Sequence, residues 1–354
     1  MRRFNPVSVV FVVLCVVGWR CSGLSATFIL NEVTIRFIRD GIMVLALLIP
    51  IAAGMGINFA VTLGATAAQV GVLVVVDRQI GGPAGLLLAL CIGVCLSIVV
   101  GCAVGYALNR VKGKEMIATI VMGFLGTSLY QLVFMAGYGA LIPSHNREIL
   151  LSRGIGVRNM VDLHAFRNTI DQYWTVTAGG VQFPVFMILA VFCTAFVIVY
   201  VMNTPLGQRF KAVGENREKA ELLGIDVDRT RIRAIVLSTV LACLGQIVFL
   251  QNIGMLNVYT AHLKTDIFSS AALLAGGATI EKAGVRHAFL GILLFHALFI
   301  VSPQAGQNVF GNAALGEYFR SFVAYGTIAF ALILNVRHAR RAPNAAAPGD
   351  ADAV

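Results

Sequence analysis

The chain is predicted to fold as an all-α polytopic membrane protein with about ten transmembrane helices and one short helix in a polar loop. Three observations predict this. Hydrophobic residues make up 58% of the 354 positions and charged residues only 12%, where soluble domains carry roughly 25% charged residues. Several windows run for about 18 residues or more without a charge, the length of a spanning helix. Gly and Ala are mixed with Val, Leu and Ile in runs too long for strands, and the ~10-residue alternating segments of a membrane β-barrel are missing.

The predicted spans are 6–29, 41–60, 62–76, 85–108, 116–136, 181–202, 234–253, 267–280, 288–302 and 319–336. Residues 1–340 then form a single transmembrane domain, and the low-complexity tail 341–354 is expected to be disordered. Arg2 and Arg3 before Pro6–Trp19 mimic a signal peptide, but no small-x-small cleavage site follows. Gly18-Trp19-Arg20 ahead of Cys21 is unlike a lipoprotein box, so this run reads as the first span, with Arg20 near an interface. Gly56–Ala65 (GINFAVTLGA) separates two spans with almost no polar loop. A broken helix beside a solute route and close packing through small residues both account for it. The seven cysteines fall mostly in apolar windows without a CxxC pair and read as packing residues.

The net charge of +10 does not point to nucleic acid, because the basic residues sit at the ends of apolar runs, where they anchor topology. With the N-terminus inside, the inner segments hold seventeen of the 27 Lys and Arg. The loop Arg110–Lys114 (RVKGK) votes most clearly. Both termini and the segment Thr204–Arg233 then lie in the cytoplasm. The longest outer segment, 137–180, is mixed in charge and long enough for a short external helix.

Thr204–Arg233 (TPLGQRFKAVGENREKAELLGIDVDRTRIR) is a charged island between apolar runs. Asn216 is placed to cap a helix through Arg217, Ala220, Glu221 and Leu223 that Gly224 closes, with Arg217 and Glu221 spaced i,i+4. So short a helix is far below the ~12–15 residues needed for independent stability. The protein's own inner surface or a partner must cover it. Ala220, Leu223 and Ile225 offer a small apolar patch suited to a groove, with Gly214 and Glu215 just before it. Asp226 or Asp228 caps the next helix, and Arg229, Arg231 and Arg233 are expected at the lipid headgroups.

This stretch, continuing through AIVLSTVLACLGQ, resembles the cytoplasmic coupling region of ABC-importer permeases of the ribose and branched-chain amino acid superfamily. Members carry a pattern close to G-x-N-x-x-A-A-x-x-x-G-I-[ND]-V. Gly214, Asn216, Ala220, Gly224, Ile225, Asp226 and Val227 stand in its place, with Lys219 where many relatives have alanine. DIFSSAALLAGGATIEKAGVRHAFLGILL is similar to the family's glycine segment, keeping Gly276, Gly277, Gly284 and Gly291, with Ala288 and Phe289 as departures. GINFAVTLGA resembles its G-I-[DN]-L-S-x-G segment, from which Phe59 and Ala60 depart. The resemblance covers residues ~40–336 and implies an inner-membrane permease. Two such subunits, identical or homologous, would form the pathway in the lipid bilayer. Two cytoplasmic ATPases, which bind the ATP and Mg, would power it, and a periplasmic or lipoprotein-type binding protein would deliver solute. The helix around Asn216–Leu223 would then sit in a cleft of the ATPase and transmit its closure as a rigid-body push, with Gly214, Glu215 and Gly224 in the same coupling region. Simple sugars are the first expectation for the solute; nucleosides, riboflavin and branched-chain amino acids are the alternatives.

The chain offers no catalytic motif of its own, so an enzyme is not expected and no cofactor is expected in this chain. No GxxxxGK[ST] occurs, since Leu108 stands where the first glycine belongs and Glu115 follows Gly113-Lys114. No HExxH or GxSxG occurs either, and His145, His164 and His262 read as outer surface histidines without metal spacing. Within the predicted spans His296 is the main ionisable residue, while Asp40 and Asp77 fall at span ends. The lack of an intramembrane carboxylate argues against a secondary carrier. A scaffold recruiting a cytosolic protein is the other rival. Asn58, Thr62, Gln69, Gln131, Gln246 and Gln251 are neutral hydrogen-bonding residues inside spans. They suit a route for a neutral polar solute, and interhelical hydrogen bonds explain them equally.

Overall fold

The computed structural model describes residues 6–152, 154–164, 167, 169–170 and 173–341. Arg2, Arg3, Arg153, Asp171 and the tail from 342 onward lie outside the described residues. Helix α1 (Pro6–Ser22) turns at Gly23, where φ is 65°, into α2 (Ala26–Ala46) and the five-residue α3 (Leu48–Ala52). Then follow α4 (Val61–Asp77), α5 (Gly82–Arg110), α6 (Glu115–Leu132, continued as a π turn through Val133–Gly137) and α7 (Val185–Asn203). The polar island forms α8 (Pro205–Glu215) and α9 (Arg217–Leu222), and the chain ends with α10 (Val227–Ile253), α11 (Thr265–Ala275), α12 (Val285–Phe310) and α13 (Ala313–Arg341).

Five of these are long and apolar enough to cross a membrane, namely α5, α6 with its π turn, α7, α10 and α12. Helices α1, α4 and α11 are apolar but shorter. At ~1.5 Å per residue the 11 residues of α11 reach only about half-way across a hydrocarbon core.

Two predicted spans are corrected. Residues 6–29 hold a helix and a turn, and the second helix begins at Ala26, not near 41. The turn is hidden from hydropathy because apolar residues flank it, and the charges of α2 mimic a loop. Ser25 betrays the helix start, its side chain accepting the Phe28 amide at 3.3 Å. The region near 56 is a true break. Residues 53–60 leave helical geometry between α3 and α4, with Gly54 and Gly56 at φ 70°.

Packing is set by small residues. A methyl group added to Gly64 or Gly71 would strike backbone carbonyls of α10 and α5, at Thr239 and Ala89. Gly101 and Gly105 lie against Val236 and Ile232 in the same way. Helices α4, α5 and α10 therefore touch backbone to backbone, where dispersion rather than hydrophobic burial holds helices together in lipid. Gly276 and Gly291 do the same for α11 and α12, each facing a carbonyl of the other segment. The outward sides of α5, α6 and α7 stay apolar and exposed, as at Val99, Leu125 and Phe196.

The outer segment holds no α-helix among its described residues, contrary to expectation. Its repeated glycines at positive φ, Gly139, Gly154 and Gly156, suit turns. Strand β1 (Met160–Asp162) pairs antiparallel with β4 (Met255–Asn257), and β2 (Thr175–Ala178) forms a hairpin with β3 (Val181–Pro184) across Gly179-Gly180.

Candidate functional site

Pro205 opens α8, where its missing N–H leaves no bond unmade. Asn216 then breaks the helix in extended backbone, and its side-chain oxygen accepts the Lys219 amide at 2.9 Å to start α9. Gly224, at φ 76°, ends α9, and Asp226 caps α10 by accepting the Arg229 amide at 2.9 Å. Val213, Ala220 and Val227 form a small core that fastens α9 to α8 and α10. The protein's own surface thus covers one side of the short helix.

The apolar patch expected from Ala220, Leu223 and Ile225 is corrected by this packing. Ala220 is buried, whereas Leu222 is 88% and Leu223 77% exposed. Glu215, Glu218, Lys219 and Glu221 are exposed around them. The result is an acidic, leucine-tipped turn facing away from the bundle.

Behind that turn sits a cluster that no local pattern announces. One oxygen of Glu115, the first residue of α6, lies 2.6 Å from the Arg217 guanidinium and 2.7 Å from that of Arg231. Arg217 therefore pairs across the fold rather than with Glu221. It also donates to the Gly54 carbonyl at 3.3 Å. Of the three arginines, Arg231 is 0% exposed, so it is not a headgroup anchor, whereas Arg229 projects outward against Asp226 and Arg233 is exposed. A fully buried arginine must be paired; Glu115 supplies the counter-charge to one nitrogen, which also reaches the Leu108 carbonyl at 3.4 Å, while Nε and Nη1 have no hydrogen-bond partner. The helix break touches the same place: a methyl group on Gly54 would lie 2.7 Å from the Cα of Gly214 in α8. The polar turn, the break at 53–60 and the start of α6 are one mechanical unit.

This unit forms one end of a cavity of about 1610 Å³. Gly56, Phe59 and Thr62 from the break and α4, Glu115 and Thr127 from α6, and Lys264 and Asp266 near the start of α11 line it. A second cavity of about 640 Å³ lies on the other side of the α11 start. Leu263 lines both.

The six polar residues named from the sequence are distributed as follows. Thr62 lines the large cavity and Gln246 the small one. Asn58 is buried, donating to the Ser238 hydroxyl at 3.3 Å and accepting the Ala60 amide at 3.0 Å. Gln69 is buried against His262, 3.1 Å from its Nδ1. Gln131 donates to the Tyr259 carbonyl at 3.1 Å, and Gln251 accepts the Ile170 amide at 3.4 Å. His262 is therefore a core residue, 0% exposed. The loop 258–264 folds inward to Gln69, and periodicity cannot show such a re-entry.

Carboxylates within the helices are likewise present after all. Asp40 lies inside α2, 3.2 Å from His296 Nε2, with Glu32, Arg36 and Arg39 on the same helix. Asp40 is thus a carboxylate within a helix rather than at a span end, and a missing carboxylate no longer speaks against a carrier. No cluster of three or more potential metal ligands occurs among the described residues.

A bundle of apolar helices around two cavities, with a braced polar turn at one end, defines a membrane transport subunit. Residues 29–332 match the family described as the branched-chain amino acid transport system permease component, and the chain belongs to that family. It is a transport subunit rather than an enzyme. It is 26% identical over 289 residues to the fructose import permease FruG of Bifidobacterium longum, covering 80% of this chain and 77% of that protein. It is 26% identical to the autoinducer 2 import permease LsrC of Yersinia pseudotuberculosis over 253 residues, 67% of each chain. It is also similar to the ribose import permease RbsC of Haemophilus influenzae, at 24% identity over 134 residues, covering 36% of this chain and 41% of that one. No solved structure matches.

Proposed function

We propose that the chain is the membrane-spanning subunit of an ATP-binding-cassette importer in the inner membrane, taking up a small polar solute, first of all a simple sugar. The acidic turn at α9 carries this reading, because half of a short helix is left bare for a partner while the other half is braced to the cavity wall. Cytoplasmic ATPase subunits, which bind ATP and Mg, dock there. Their closure pushes α9, and the push reaches the break and α6 through Arg217, Glu115 and the Gly54–Gly214 contact. A second permease subunit, the same or homologous, completes the route, and a periplasmic or lipoprotein-type binding protein supplies solute. The chain crosses the membrane ten times, through α1, α2, α4 to α7, α10, the inward-folded loop 258–264 continued by the half-length α11, and α12 and α13, with both termini on the side of α9. The names of the fructose, autoinducer 2 and ribose relatives support a sugar or polyol over a nucleoside, riboflavin or a branched-chain amino acid.

Reversing two charges on the bare face, Glu215→Arg with Glu221→Arg, is expected to abolish co-purification of the ATPase while the permease stays in the membrane. Retained ATPase that is still stimulated by solute would remove α9 from the docking role. Uptake into vesicles should need internal ATP and ignore a collapsed ion gradient; the opposite dependence would make the chain a secondary carrier.

A further inference from the structure

We propose that the 640 Å³ cavity between α2, α10, α11, α12 and α13 is a binding station for a neutral polyhydroxylated solute on its way through this subunit. The inference deepens the permease reading and rests on it. The size is right, since small-molecule sites run from roughly 300 to 1,000 Å³. The lining is unusual for so apolar a chain. Arg36, Arg39 and Arg320 face the cavity with Glu32, Asp40 and Glu317, and His296 completes the ring. Charges placed within spanning helices are costly and persist mainly where they handle solute or one another.

Their mutual pairing is incomplete. Arg320 donates to Glu317 and to the Phe299 carbonyl, both at 3.1 Å, but Arg36 lies 3.6 Å from Glu32 and Arg39 3.9 Å from Asp40, both beyond the ~2.7–2.9 Å of a charge-assisted hydrogen bond. The side chains of Arg36 and Arg39 keep 26% and 19% of their surface open, and those of Glu32 and Asp40 35% and 26%. Donors and carboxylate lone pairs are thus left for a third party. Three guanidinium groups balance three carboxylates, so neither an anion nor a cation is favoured. A polyol suits this array, each hydroxyl donating to a carboxylate and accepting from a guanidinium. Phe28, 47% exposed, also lines the cavity and offers apolar surface for its C–H bonds. Passage to the large cavity leads past Leu263 and Lys264, and Lys264 holds a left-handed φ of 65° that a non-glycine residue adopts only under constraint.

Two measurements test the station on the full importer. Arg39→Gln and the shape-conserving Asp40→Asn should each lower ATP-driven uptake of labelled fructose or ribose about tenfold, the scale of one charge-assisted bond lost. Membrane abundance and ATPase co-purification should not change. Uptake at the parental rate in both variants, or loss of both variants from the membrane, overturns the proposal in favour of a purely structural network. In the second measurement Thr260→Cys, at an exposed cavity position, is treated with a membrane-impermeant thiol reagent. Millimolar fructose or ribose should slow labelling several-fold, whereas labelling that neither sugar slows, or no labelling at all, overturns it. Protection needs no ATPase, so it stands or falls separately from the importer reading.

Discussion

Glu115 holds two arginines that are more than a hundred positions away in the chain, Arg217 on the docking turn and Arg231 in the bundle. Removing one member of a buried ion cluster strands the others, at about 3–5 kcal/mol. Glu115→Gln is therefore expected to lower the thermal midpoint of the purified subunit and to weaken coupling, with ATP hydrolysis persisting while uptake falls. An unaltered ratio of uptake to hydrolysis would show that the cluster carries no push. Arg231→Met should be as destabilising alone. Combined with Glu115→Leu it should recover most of the loss, because Arg217, only partly buried, can turn to solvent. Neither Glu115 nor Arg231 was legible as a functional residue. Each looks like a topological charge at a span end, and only the fold brings them together.

At the scale of elements, α9 was readable because its signals are local: Asn216 caps it, Gly224 ends it, and both positions need a specific backbone geometry. Its orientation was not, since one turn of helix has too few residues to define a face. The helix pair α11–α12 depends on the glycines noted from the sequence. A side chain at Gly291 would overlap the Ala272 carbonyl, so Gly291→Val should cost about 1–3 kcal/mol or more as overpacking. The check is the fraction of chain recovered folded in mild detergent, with Gly326→Ala, in α13 with nothing nearby, as the comparison. Equal recovery of the two would mean the helices separate easily. The break at 53–60 follows the same logic. Glycines at Gly54 and Gly56 permitted it, but the contact with Gly214 fixes where it lies.

For the whole molecule, the two cavities meet at Leu263 and flank the start of α11. Gln246 lines the smaller one, whereas Gln69 braces the re-entrant loop through His262. Gln246→Leu is expected to slow uptake with normal assembly. Gln69→Leu should slow it as well while leaving His262 without its partner, and measured side by side the pair separates a lining role from a bracing one. Parental uptake in both would take these glutamines off the route. Hydropathy and capping act over a few neighbouring residues, so the membrane, the helical class, the polar turn and its caps can be read from the chain alone. The inward charges of α2, the core position of His262 and the brace at Glu115 arise in the folded arrangement. Those outcomes depend on which distant helices share a face, and a linear pattern holds no record of that.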